Sequence, residues 1–136
     1  MSDAISRAIL PEGWQRARGY SHGIASTGGT TIRVAGQVAQ VAGGPVEGGL
    51  DMGAQFALAL SNVVTVVEAA GGKAEHLVNL RTYVTDMDAF NAAGKAVGAA
   101  WGDSLGRHFP AMTLVEVTKL FDANAMVEIE AEAVIP

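Results

Sequence analysis

LVNLRTYVT, residues 77–85, alternates Val78, Leu80, Thr82 and Val84 with Asn79, Arg81 and Tyr83. Successive side chains of a strand point to opposite faces, so this period of two predicts a β-strand with a half-buried sheet face. The flanking segments have a different period. From Asp51 to Ala70, Phe56, Leu60, Val63, Val64 and Val67 recur at steps of three and four, with Gln55, Asn62 and Glu68 on the other side, which predicts an amphipathic helix. Asp51 suits its start, where a carboxylate meets free amides and the positive end of the dipole, and Gly71-Gly72 suits its end. After the strand, Asp86 is placed to cap a second helix. Phe90, Ala93, Val97 and Trp101 share one face of that helix, and Gly102 and Gly106 close it.

Toward the N-terminus, YSHGIAST (20–27) and TTIRVAGQVA (30–39) are strand-like runs separated by Gly28 and Gly29, the composition of a hairpin turn. VAGGPVEGG (41–49) is too rich in glycine for a regular element and reads as a loop. It lacks the Lys-Ser/Thr pair of a phosphate-binding loop, which favours a plain linker. Toward the C-terminus, Met112–Leu120 and Met126–Ile135 are the last two strands, separated by the turn-like FDAN at 121–124. The order ββ, α, β, α, ββ is an α+β layout, with two helices on one face of a mixed sheet. Its other face needs a cover, which a trimer or other oligomer would supply.

The chain of 136 residues fits a single domain, 1–136. With 49% apolar and 17% charged residues it is a compact globule rather than a disordered chain. The absence of cysteine excludes disulfides, thiolate nucleophiles and thiolate metal sites. A net charge of -5 and only nine Lys and Arg argue against nucleic acid as the main partner. MSDAISRAIL lacks the basic start and long apolar stretch of a secretory signal, and NVVTVVEAA is too short to span a bilayer, so a cytoplasmic location without a membrane partner is expected.

Three histidines, His22, His76 and His108, show no metal-ligand spacing, and no GxSxG elbow accompanies the hydroxyls. The stretch HFPAMTLVEV (108–117) carries His108 and Glu116, either of which is capable of acid-base chemistry. Gly36 in the strand VAGQVAQ marks either a bulge or a close approach by a ligand or another backbone. Glu128, Glu130 and Glu132 share one face of the last strand, where like charges repel unless water or partners separate them.

GYSHGI (19–24), VAGQVA (34–39), SNVVTVVEAAG, LVNLRTYVTDMDAF, HFPAMTLVEV and VEIEAEAV, taken in order, resemble the RidA (YjgF/YER057c/UK114) family over most of the chain. The resemblance implies a chorismate-mutase-like subunit, a homotrimer and three small-molecule clefts between neighbours. It implies hydrolysis of reactive enamines and imines, such as 2-iminopropionate or 2-aminoacrylate, to a keto acid and ammonia, with no metal or organic cofactor. By motif, Glu128 matches the glutamate that orients a water, Tyr20 the tyrosine of the cleft and Gly36 the glycine beside the ligand. Phe109 and Ala111 belong to the run that leads into the cleft.

Met112 is the departure: it stands where deaminating members carry the arginine that grips the substrate carboxylate. Methionine makes none of the charge-assisted hydrogen bonds of a guanidinium fork. Gly94 likewise stands where many members have asparagine. A cleft with methionine there favours a larger or less charged ligand, or is unused and filled by the methionine. Arg107 or Arg33 would replace the charge only by reaching in. The resulting expectation is an imine or enamine hydrolase with a non-standard substrate. The alternative is a non-catalytic trimer that binds a metabolite or protein, and a ribonuclease or translation inhibitor is a more distant third.

Overall fold

The computed structural model describes residues 5–136; the first four residues of the N-terminal stretch read for a signal lie outside them. The strands are β1 (Ser6–Ile9), β2 (Gly23–Ser26), β3 (Thr30–Gln37), β4 (Leu77–Val84), β5 (Ala111–Glu116) and β6 (Val127–Ile135). The helices are α1 (Met52–Ala69), α2 (Met87–Ala92) and α3 (Gly94–Leu105). The main sheet has the order β3-β6-β4-β5, antiparallel except for the parallel β4–β5 edge. This is the α+β architecture with a mixed sheet that the sequence predicts.

α1 begins where expected. Asp51 is its N-cap, accepting the Ala54 amide at 2.8 Å, and Gly71 follows its end at φ +92°. It is long and apolar enough to match a membrane span by length and composition. Its fully buried Leu60, Val63 and Val67 join Leu80, Val84, Val127 and Ile129 of the sheet in one core. At Gly53 the chain leaves room for α3, because a Cβ there would come within 2.8 Å of Ala96 Cβ.

Four details differ from the sequence reading. Gly28 and Gly29 do turn the chain at positive φ, but β2 pairs with β1 in a separate two-stranded sheet instead of forming a hairpin with β3. β1 went unpredicted because SRAI is short and has no alternation. In β4 the register slips between Leu77 and Asn79, so Leu77 is fully buried and Val78 only half-buried. The second helix is two helices, interrupted between Ala92 and Gly94. β5 ends at Glu116 rather than Leu120; it is the parallel edge beside β4, and β6 runs between β3 and β4.

Candidate functional site

The uncovered face of the sheet carries the glutamates. Glu130 and Glu132 reach Arg81, at 3.9 and 2.7 Å, and the Tyr83 hydroxyl donates to Glu130. That bond, with some burial, holds the Tyr83 phenol above its ordinary value. The like-charge row expected on β6 is therefore relieved at two of its three members. Glu128 makes no ion pair among the described residues. It lies instead against the bare backbone of Gly36, where any Cβ would collide with its carboxylate. Gly36 falls within the register shift between Val34 and Gln37, which is the bulge reading of this glycine, and what comes close to it within the chain is the Glu128 side chain rather than another backbone.

Met112 lies on the other face. It stands in register with Leu80, and Leu114 with Thr82, so both side chains turn toward the helices. There they border a cavity of about 390 Å³. The sheet contributes Thr82, Met112 and Leu114, and α1 and α2 contribute Phe56 and Phe90. α3 contributes Val97 and Trp101 together with Gly94, Gly98 and Gly102, spaced so that one stripe of the helix is bare. Each helical glycine costs about 0.5–1 kcal/mol relative to alanine. A Cβ at any of the three would meet nothing within 4 Å, so packing within the chain does not require them.

The loop before β2 closes the same region. The Ser21 amide donates to the Pro110 carbonyl at 3.0 Å and its hydroxyl to Phe109 at 2.6 Å, joining the Tyr20 segment to the start of β5. Gly19 and Phe109 border both the Met112 cavity and a second one of about 360 Å³ that contains Tyr20 and His22. The structure thus brings Phe109 to Met112 and sets Tyr20 next door, while Ala111 pairs with Asn79 on the opposite side of β5 from Met112. Arg107 borders a different cavity, with Glu75 and His108, and Arg33 projects from β3 in register with Glu132. Neither borders the Met112 cavity. Arg18 does, and the sequence reading missed it; its only signal was a cation in the aromatic-bearing run WQRARGY.

His108 and Glu116 are both structural. His108 Nε2 donates to the Leu77 carbonyl at 2.6 Å while its own carbonyl accepts from Trp101, and Glu116 accepts the Met87 amide at the start of α2. Among the described residues no three His, Asp or Glu side chains gather as a metal site would need.

Fold and site define a class of small α+β domains with an uncovered, carboxylate-bearing sheet face and a cavity under the opposite one. The model of the endoribonuclease L-PSP family matches residues 13–135, and the chain belongs to that family, the YjgF/RidA family of the sequence resemblance. The solved structure of the Rid-family protein YyfB from Yersinia pestis superposes with a TM-score of 0.85 at 34% identity, covering 97% of this chain and all of that one. YjgF from E. coli gives 0.67 at 32% identity, over 96% and 99% of the two chains. The 2-iminobutanoate/2-iminopropanoate deaminase of Escherichia coli K12 is 38% identical over 84 residues, which is 62% of this chain and 64% of that relative's length.

Proposed function

We propose that this protein hydrolyses an imine or enamine other than the small α-imino acids, in clefts formed between the subunits of a homotrimer. The observation that carries the reading is the placement of Glu128. It is a half-buried carboxylate without an ionic partner among the described residues, held over Gly36 on the face that a second copy would cover. The similarity to a 2-iminobutanoate/2-iminopropanoate deaminase supports the same chemistry.

In this reaction Glu128 takes a proton from a water as its oxygen adds to the carbon of the C=N bond, giving a carbinolamine. The proton passes to nitrogen, Glu128 takes the remaining hydroxyl proton as the C–N bond breaks, and ammonia and the carbonyl compound leave. A protonated imine is already electrophilic, so holding it beside an oriented water supplies much of the acceleration. Tyr20 serves as an orienting hydroxyl. The apolar Met112 cavity favours one second reading, a trimer that binds a metabolite without turnover.

The test is a coupled assay in which an amino-acid oxidase generates imines from a panel of amino acids with large side chains. Glu128→Gln should lower the hydrolysis rate at least 10²-fold, the usual scale of a general base. An unchanged rate would remove Glu128 from the chemistry.

A further inference from the structure

We infer that the cavity under Met112 seats the flat body of an aromatic carboxylic acid, or of an imine of one, along the Gly94–Gly98–Gly102 stripe, with Arg18 holding the carboxylate. This deepens the reading above and rests on it in taking the Met112 side as the ligand's seat.

Four observations converge on that ligand class. The stripe borders the cavity with open space above each of its three glycines. The walls are aromatic: Trp101 and Phe109 stack with centroids 6.1 Å apart and planes 10° apart, and Phe56 meets Phe90 edge-on at 5.6 Å. Such walls accept a planar ring by stacking or edge contact. Thr82, only 2% exposed, is among the described residues the one hydroxyl-bearing residue on the cavity wall, a polar group able to meet a polar ring substituent. Finally, Arg18 borders the cavity and makes no ion pair among the described residues. Its guanidinium offers the planar fork that suits a carboxylate, and it arrives from the loop before β2 rather than from β5.

The cavity volume lies in the range of small-molecule sites, and a two- or three-carbon imino acid would leave most of the aromatic wall uncovered. Arg18 also accounts for the tolerance of methionine at position 112. The anion is gripped from another element, and Met112 becomes part of the apolar wall.

The test is calorimetric titration of the purified protein with indole-3-acetate, indole-3-acetamide and acetate. Indole-3-acetate should saturate the protein, acetate should not, and the amide should bind at least tenfold more weakly than the acid. Arg18→Gln should reduce the acid to the affinity of the amide. Gly98→Leu, which fills the space above the stripe, should abolish binding of both without lowering the melting temperature or changing the subunit number. Three results would overturn the inference: no saturation by indole-3-acetate at millimolar concentration, equal affinity of Arg18→Gln and native protein for the acid, or a changed subunit number in Gly98→Leu, which would assign the stripe to a subunit contact. Binding without hydrolysis of any imine removes the hydrolase reading and leaves this one standing. Hydrolysis that indole-3-acetate does not inhibit does the reverse.

Discussion

Met112 and Glu128 lie on opposite faces of the same sheet: Met112 is in register with Leu80, which is buried beneath the helices, and Glu128 with Tyr83 on the uncovered side. One chain therefore does not place both around one ligand. A site that uses both takes Met112 from one copy and Glu128 from its neighbour. The expected state in solution is a trimer of the 14.0 kDa chain. Sedimentation equilibrium giving a monomer at micromolar concentration would dissolve the shared cleft.

Gly36→Ala tests the contact that positions Glu128. The added methyl group overlaps the carboxylate, so either the strand or Glu128 must move, and such overpacking costs about 1–3 kcal/mol. Hydrolysis should fall about as far as in Glu128→Gln. Adding Glu128→Ala to Gly36→Ala should return most of the lost stability, read by chemical denaturation, and none of the activity. Full activity in Gly36→Ala would mean that the position of Glu128 is not critical.

Much of this arrangement was legible in the sequence, for physical reasons. α1 was clear because its apolar stripe, Asp51 cap and terminal glycines agree, and β4 because the sequence alternates from Val78 to Val84. Period two alone put the three glutamates on a common face, without saying which side of the sheet that is. What escaped depends on pairings between distant segments. Nothing local tells β5 to lie parallel to β4, nor Gly23–Ser26 to choose Ser6–Ile9 over the adjacent β3. The spacing of Gly94, Gly98 and Gly102 was visible, but its meaning depended on whether the chain fills the space above it. Arg18 was hidden because loop geometry, not pattern, carries it to the cavity.

Gln55 ties α1 to the turn before β6. It is 1% exposed, its amide donates to Asn124 at 2.9 Å and to Leu50 at 3.4 Å, and its carbonyl oxygen accepts the Met126 amide at 2.7 Å. Gln55→Leu leaves these part-buried backbone groups without their partner, each at a cost of up to about 1–3 kcal/mol. A loss of at least about 2 kcal/mol in denaturant unfolding is expected. A stability within about 0.5 kcal/mol of native would show that water or a shifted turn satisfies them.

Asp122 makes the same corner sensitive to acid. Its carboxylate accepts the amides of Val46 and Asn124, both at 2.9 Å, and these bonds hold its pKa below the usual value. The folded pKa is depressed, so this stabilisation is fully present above the unfolded value, roughly 3.9, and is lost as pH falls through the folded one. The melting-temperature gap between native protein and Asp122→Asn should be constant at neutral pH and shrink below about pH 4. A gap that does not change with pH would separate Asp122 from the acid response.

Position 112 decides the substrate range. An arginine there would supply a charge-assisted bond worth about 1.5–3 kcal/mol, or about ten- to a hundredfold in capture of a small imino acid. Native protein should therefore be nearly inactive on 2-iminopropionate. Met112→Arg should recover part of that activity, and Met112→Arg with Gly94→Asn should recover more, because Gly94 borders the same cavity and has open space where a Cβ would stand. Arg18 sets a limit, since two guanidinium groups in one apolar cavity repel until an anion lies between them. Adding Arg18→Gln to the double variant should then raise activity on 2-iminopropionate while lowering affinity for indole-3-acetate. Native activity on this imine equal to that of arginine-bearing relatives would refute the argument, because Arg18 would then hold a small carboxylate that has no ring to seat against the aromatic wall.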